Sequence, residues 1–129
     1  MAVSKNLPIM IVDDYSTMLR ILRNLLAQLE FNNVTDANNG DDALQKLLTA
    51  GNMGLIISDW NMQPMTGLDL LKAVRANANL KHIPFIMVTA ESKTDNVIAA
   101  KQAGVSNYIV KPFNAETLKA KMASVLGPF

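Results

Sequence analysis

Apolar and polar positions along the chain fall into two alternating regimes, and each change of regime marks an element. The run Leu7 to Val12 carries no polar side chain and stops abruptly at Asp13-Asp14. A short continuous run of this kind predicts a strand buried on both faces. From Ser16 the period becomes helical. Met18, Leu19, Ile21, Leu22, Leu25, Leu26 and Leu29 recur on one side, Arg20, Arg23, Asn24 and Gln28 fill the other, and Asn32-Asn33 is the expected end. Val34 to Ala37 is short enough for a strand at a sheet edge. Asn38-Asn39-Gly40 turns the chain into a second helix, with Asp41 and Asp42 at its positive end. Ala43, Leu44, Leu47 and Leu48 form its apolar stripe and Gly51 ends it.

The same sequence of regimes then repeats. Leu55 to Ser58 predicts a third strand running into Asp59. After a loop containing Pro64 and Gly67, a third helix places Leu68, Leu70, Leu71 and Val74 inside, with Lys72 and Arg75 outside. Phe85 to Val88 leads to Thr89. Ser92 to Ala103 reads as a fourth helix capped by Gly104. Tyr108 to Val110 is the fifth strand, ending at Lys111-Pro112, and Asn114 is a natural N-cap for a last helix through Leu118, Met122, Val125 and Leu126. Five strands alternating with five helices imply an α/β fold, a parallel sheet covered on both faces by right-handed crossovers.

The chain has 129 residues, room for about one core, and the expectation is a single domain without an output domain. A net charge of +1 lacks the excess of a nucleic-acid binder, so no nucleic acid is expected. No cysteine is present, which excludes disulfides and thiolate chemistry. The first apolar run is too short for a signal segment or a bilayer span, so a cytoplasmic monomer with no membrane contact is the expectation.

Sites in open sheets of this kind lie outside the carboxyl ends of the strands. Here those ends carry Asp13-Asp14, Asp59, Thr89 and Lys111. Three carboxylates brought together stay ionised at neutral pH only if positive charge offsets them. With oxygen ligands only, Mg²⁺ is the favoured cation. Lys111 offers a compact charge and Thr89 a hydroxyl to phosphoryl oxygens, and an aspartate can itself accept a phosphoryl group. Other residues draw plainer readings. His82 is a solvated loop residue with no second histidine nearby, and Lys119 and Lys121 mark a solvated helix face. Ser16-Thr17 reads as helix capping, because Asp13-Asp14 would repel a phosphate held there. The methionines are core filler, with Met62 and Met65 placed beside the rim.

Four segments, Ile11-Val12-Asp13-Asp14, Ser58-Asp59-Trp60-Asn61-Met62, Val88-Thr89-Ala90-Glu91 and Val110-Lys111-Pro112-Phe113, make the chain resemble the response-regulator receiver domains of two-component systems over essentially its whole length. The resemblance is greatest to the stand-alone chemotaxis regulators. It implies strand order 2-1-3-4-5 in a flavodoxin-like fold and a cis bond at Lys111-Pro112. Asp59 would be the phosphoacceptor. Asp14, Asp59 and the Asn61 backbone carbonyl would bind Mg²⁺ directly, and Asp13 would act through water. Thr89 and Tyr108 would form the switch, and Lys93, Tyr108, Phe113 and Lys121 would belong to the partner face. The departure lies at Gln63-Pro64-Met65-Thr66-Gly67, where receivers more usually carry proline at position 63 and aspartate at 66.

The implied partners are a histidine kinase, a flagellar motor switch protein or another protein effector, and a phosphatase. A cell-division regulator and a phosphate sink are alternatives. A phosphatase turning over through an aspartyl-phosphate is the rival of another class. Families of that type resemble Asp-x-Asp patterns whose second aspartate moves protons; Asn61 occupies that position and cannot. The expectation is therefore a switch with self-catalysed phosphoryl transfer and autodephosphorylation, not an enzyme acting on organic phosphates.

Overall fold

The computed structural model describes residues 3–90 and 94–129. Strands and helices alternate strictly: β1 (Ile9–Val12), α1 (Ser16–Gln28), β2 (Val34–Ala37), α2 (Gly40–Ala50), β3 (Leu55–Asp59), α3 (Gly67–Ala76), β4 (Phe85–Thr89), α4 (Thr94–Gln102), β5 (Asn107–Val110) and α5 (Ala115–Leu126). All pairings are parallel and the order is β2-β1-β3-β4-β5. The expected fold class and strand order therefore hold.

Side chains on each strand alternate between two apolar layers. Met10, Val12, Ile56, Phe85 and Met87 pack with Ala43 and Leu47 of α2 and Leu70, Leu71 and Val74 of α3. Ile9, Ile11, Leu55, Ile57, Ile86, Val88 and Ile109 pack with Leu19, Leu22 and Leu26 of α1 and Leu118 and Met122 of α5. Both faces are covered, which is why the central strands read as unbroken apolar runs.

The outer edge of β2 is closed by side chains. Ile9 and Asp13 donate to the carbonyls of Asn33 and Ala37, so those of Val34 and Asp36 point away from the sheet. Arg23 of α1 donates to Val34 O at 3.1 Å, and Lys46 of α2 donates to Asp36 O at 2.6 Å. Two helices on opposite faces thus each send one cation over the free edge.

Several local expectations are corrected. The first helix stops at Gln28 rather than at Asn32-Asn33. Glu30 turns left-handed at φ 73°, its N–H meets Ala27 O, and the Phe31 N–H meets Leu26 O. That is a Schellman end, held by the buried Phe31 and Leu26 pair and hidden in the sequence because glutamate rather than glycine occupies the turn. Ser16-Thr17 does not cap: Tyr15 is the N-cap and makes no side-chain cap bond. The Asp13 Oδ1 instead accepts the Tyr15 N–H at 3.0 Å. Arg75 is not simply outside. It is half-buried and donates to Gly104 O, Lys81 O and Ile83 O, tying the entries of β4 and β5 to the end of α3. Burial lowers its pKa from the ordinary guanidinium value. Lys119 and Lys121 are not merely solvated; they lie 5.7 and 5.2 Å over the rings of Phe129 and Tyr108.

The caps at Asn39 and Asn114, and the left-handed Gly51 and Gly104, stand where the sequence placed turns and helix ends. Ser92, the expected start of the fourth helix, lies outside the described residues.

Candidate functional site

The strand order reverses between β1 and β3, because the chain leaves β1 for the edge at β2 and returns to β3 on the other side. A crevice opens at such a reversal, outside the carboxyl ends of the two strands. Asp13 and Asp14 follow β1 directly and Asp59 closes β3, so register alone brings the three acids to this crevice. Ligand oxygens of Asp13, Asp14 and Asp59 lie within 4.8 Å of one another. Asp13 and Asp59 are buried, at 2% and 5% exposure, while Asp14 is exposed.

From β5, Lys111 Nζ reaches to 3.0 Å from Asp59 Oδ1. Lys111 is thus ion-paired with Asp59 Oδ1, whereas Asp13 Oδ2 is buried with no hydrogen-bond partner among the described residues. Burying an acceptor in this way is costly unless a ligand satisfies it. Burial pushes the Asp59 carboxyl above its ordinary value, with Lys111 opposing the rise. Burial also pushes Asp13 up to about 6, the Tyr15 N–H opposing and the neighbouring Asp59 charge adding to it. One lysine therefore undercompensates three carboxylates. An all-oxygen donor set that includes the unpartnered buried Asp13 Oδ2 suits a hard divalent cation, which would be held by Asp13, Asp14 and Asp59.

The pocket opens into a cleft of about 550 Å³ lined by Asp14, Asn61, Met62, Gln63, Pro64 and Thr66. Asn61 is exposed on this wall beside Asp14. Met62 is buried at 2% exposure and packs in the α2/α3 layer while also lining this cleft, so it is core that borders the rim, as expected. The unusual Thr66 is accounted for by the helix it starts. Its hydroxyl accepts from Asp69 N at 3.1 Å while Asp69 accepts from Thr66 N at 3.2 Å, a reciprocal capping box that threonine builds as well as aspartate could cap. Both Gln63-Pro64 and Lys111-Pro112 are cis, the second as the resemblance implied.

Thr89 closes β4 at 6% exposure. It shares with Tyr108, Trp60 and Met87 a narrow cavity of about 10 Å³ under Asn96 and Val97 of α4. Space on that scale holds about one water molecule, so a ring or hydroxyl moves there only if a neighbour yields. Tyr108 is half-buried, with Lys121 over its ring. Phe113 is brought elsewhere, half-buried against the α1/α5 layer. Lys93 lies outside the described residues. His82 is exposed. A second groove of about 470 Å³ runs beside α2, but its cation Lys46 is already engaged by Asp36 O and by Asp42 at 3.2 Å.

Ser58 and Gly67, which shape the site from behind, entered the sequence reading only as a motif member and a loop glycine, with no role at the site. The Ser58 hydroxyl is buried and donates to the Asp59 carbonyl at 3.0 Å. A Cβ on Gly67 would overlap that same carbonyl oxygen. A serine inside a strand and a glycine after a loop carry no pattern that separates them from ordinary packing residues.

An all-parallel sheet with acids at the β1/β3 reversal and a lysine after β5 is the arrangement of a receiver, and the chain belongs to the response regulator receiver domain family, whose sequence model matches residues 9–123. Within that family it is of the CheY type. It is 54% identical over 117 residues to the chemotaxis protein CheY of Pseudomonas aeruginosa, covering 91% of this chain and 94% of that one. It is 52% identical over 122 residues to the chemotaxis protein CheY-3 of Vibrio cholerae, covering 95% and 93%. Among solved structures, the chemotaxis protein CheY4 of Vibrio cholerae superposes with a TM-score of 0.87 at 34% identity, covering 94% of this chain and 99% of that one.

Proposed function

We propose that the protein is a phosphorylation-operated switch in chemotaxis, with Asp59 as the phosphoacceptor and Mg²⁺ as its cofactor. The observation that carries the reading is the convergence of three carboxylates within 4.8 Å, with Asp13 Oδ2 buried and unpartnered among the described residues and Lys111 3.0 Å from Asp59 Oδ1. Asp13, Asp14, Asp59 and the Asn61 backbone carbonyl would hold the Mg²⁺, which when bound supplies charge neutralisation for phosphoryl transfer. A carboxylate oxygen of Asp59 attacks the phosphorus of a phosphohistidine on a histidine kinase, or of acetyl phosphate, and the leaving group departs in line. Lys111 sets its ammonium against the transferring oxygens, and the Thr89 hydroxyl donates to one of them. Burial keeps bulk water off the acyl phosphate and slows its loss. The chemistry is self-catalysed, and no residue at Asn61 moves protons for turnover of other phosphates.

The signal leaves through Thr89. Drawing its hydroxyl toward the phosphoryl group vacates space in the cavity it shares with Tyr108, and the ring turns inward, altering the face formed by α4, β5 and α5 with Lys121. The resemblance to chemotaxis regulators implies a flagellar motor switch protein as the recipient and the cytoplasm as the site of action, and the CheY-type relatives support the chemotaxis reading. A dedicated phosphatase would reset the switch from the cleft beside Asn61 and Gln63. Incubation with acetyl phosphate and Mg²⁺, followed by intact mass measurement, tests the reading. Wild type gains a hydroxylamine-labile phosphoryl increment and Asp59→Asn gains none; equal gain in both would refute it.

A further inference from the structure

The backbone carbonyl of Asp59 is gripped from two sides. Ser58 Oγ donates to it at 3.0 Å, and Ser58 is fully buried on the sheet face opposite to that of Ile57. From the other direction α3 begins directly against it. An added Cβ on Gly67 would overlap the carbonyl oxygen, would stand 3.0 Å from the carbonyl carbon, and would meet Met87 Sδ at 2.8 Å. Gly67 has no left-handed φ. The position therefore requires glycine for proximity and not for backbone freedom. Its N–H, moreover, donates to Trp60 O at 2.9 Å, fixing the first turn of α3 to the peptide that follows the acceptor.

We infer that Ser58 and Gly67 are positioning residues for phosphoryl transfer: together they fix the Asp59 peptide, and through it the direction of the Asp59 carboxylate toward Lys111 and its acidic neighbours. Neither side chain touches the reacting atoms. This rests on the reading of Asp59 as phosphoacceptor. An alanine at position 67 forces its overlapping neighbours apart by about 1 Å, and displacement on that scale at a reacting centre costs about 100-fold in rate. Ser58→Ala adds no bulk and leaves the carbonyl without this donor, a smaller disturbance of the same group.

Gly54→Ala is the control. Its Cβ would strike the Leu7 side chain at the opposite end of β3, so it strains the fold without touching the acceptor. The experiment measures thermal unfolding, the maximal rate and half-saturation of acetyl phosphate labelling at saturating Mg²⁺, and metal-free amide shifts of Asp59 and Trp60, for all three variants and wild type. The expected maximal rates fall at least about 10-fold in Gly67→Ala and about 3- to 10-fold in Ser58→Ala, with half-saturation little changed, and stay within about twofold in Gly54→Ala. The Asp59 and Trp60 amides shift in the first two variants only. A maximal rate within about twofold of wild type in Ser58→Ala or Gly67→Ala, counted per folded molecule, overturns the inference. If Gly67→Ala does not fold, Ser58→Ala decides alone. Absence of labelling in wild type itself would overturn the phosphoacceptor reading and this inference with it.

Discussion

Replacing Asp13 with asparagine is expected to stabilise the metal-free protein at neutral pH, the reverse of what loss of a buried polar group ordinarily does. Burial raises the Asp13 carboxyl from 3.8 to about 6, a shift equivalent to about 3 kcal/mol of penalty on its charged form. Between pH 3.8 and 6 the folded chain holds more protons than the unfolded chain, so stability falls as pH rises through that window and levels off above it. Asp59, raised in the same direction, adds to the slope. Asparagine carries no charge to bury, and its Oδ1 still accepts the Tyr15 N–H that Asp13 accepts at 3.0 Å. Relaxation and residual hydration reduce the gain, so about 2 kcal/mol at pH 7.5, or about 8 °C in Tm, is expected in EDTA. At pH 4 the gain should shrink to below about 1 kcal/mol, because most of the wild-type penalty has then vanished. Saturating Mg²⁺ should erase or invert the difference at pH 7.5, since a cation bound only by the folded state stabilises wild type in proportion to its better affinity. Urea unfolding at both pH values, with EDTA and with Mg²⁺, measures all of this. An Asp13→Asn variant that is less stable than wild type at pH 7.5 in EDTA would refute the reasoning.

Three further outcomes follow from the geometry. Trp60, the only tryptophan, adjoins Asp59 in sequence, so Mg²⁺ should change its fluorescence in wild type and not in Asp14→Asn; a full response in the variant would remove Asp14 from the site. Thr89→Ala should still be labelled at Asp59 yet lose most of the gain in partner affinity that beryllofluoride brings, because Thr89 is the group that shares the cavity with Tyr108; an equal gain would break the coupling. Arg23→Ala combined with Lys46→Ala uncovers the outward carbonyls of Val34 and Asp36, and the β2 edge should then pair with a second copy, read as self-association by sedimentation at high protein concentration. A double variant that sediments as wild type does would show that the cations do not guard the edge.

Most of the fold was legible because one physical signal repeats. Strands covered on both faces leave unbroken apolar runs, and Ile9–Val12, Leu55–Asp59 and Phe85–Thr89 each end where a polar residue enters the crevice. The gathering of Asp13, Asp14 and Asp59 was legible for the same reason, since parallel register delivers strand ends to one rim. The misreadings all concern side chains that act across elements. Glu30 adopts the left-handed turn because Phe31 and Leu26 bury together, a tertiary gain that outweighs the backbone preference of glutamate. Asp13, and not Ser16 or Thr17, engages the Tyr15 N–H. Arg75 reaches three carbonyls that lie 6, 8 and 29 residues away. Gly67 is set by the approach of α3 to Asp59, a distance no local pattern encodes.

The central claim is that one carboxylate among three takes the phosphoryl group, and chemical trapping reads that choice directly. Borohydride reduces an acyl phosphate to an alcohol, so the acceptor aspartate appears as homoserine in peptide sequencing. After labelling by acetyl phosphate with Mg²⁺, homoserine is expected at position 59 and nowhere else, and none should form when EDTA replaces the metal. Homoserine at position 13 or 14, or its undiminished formation in EDTA, would contradict the account.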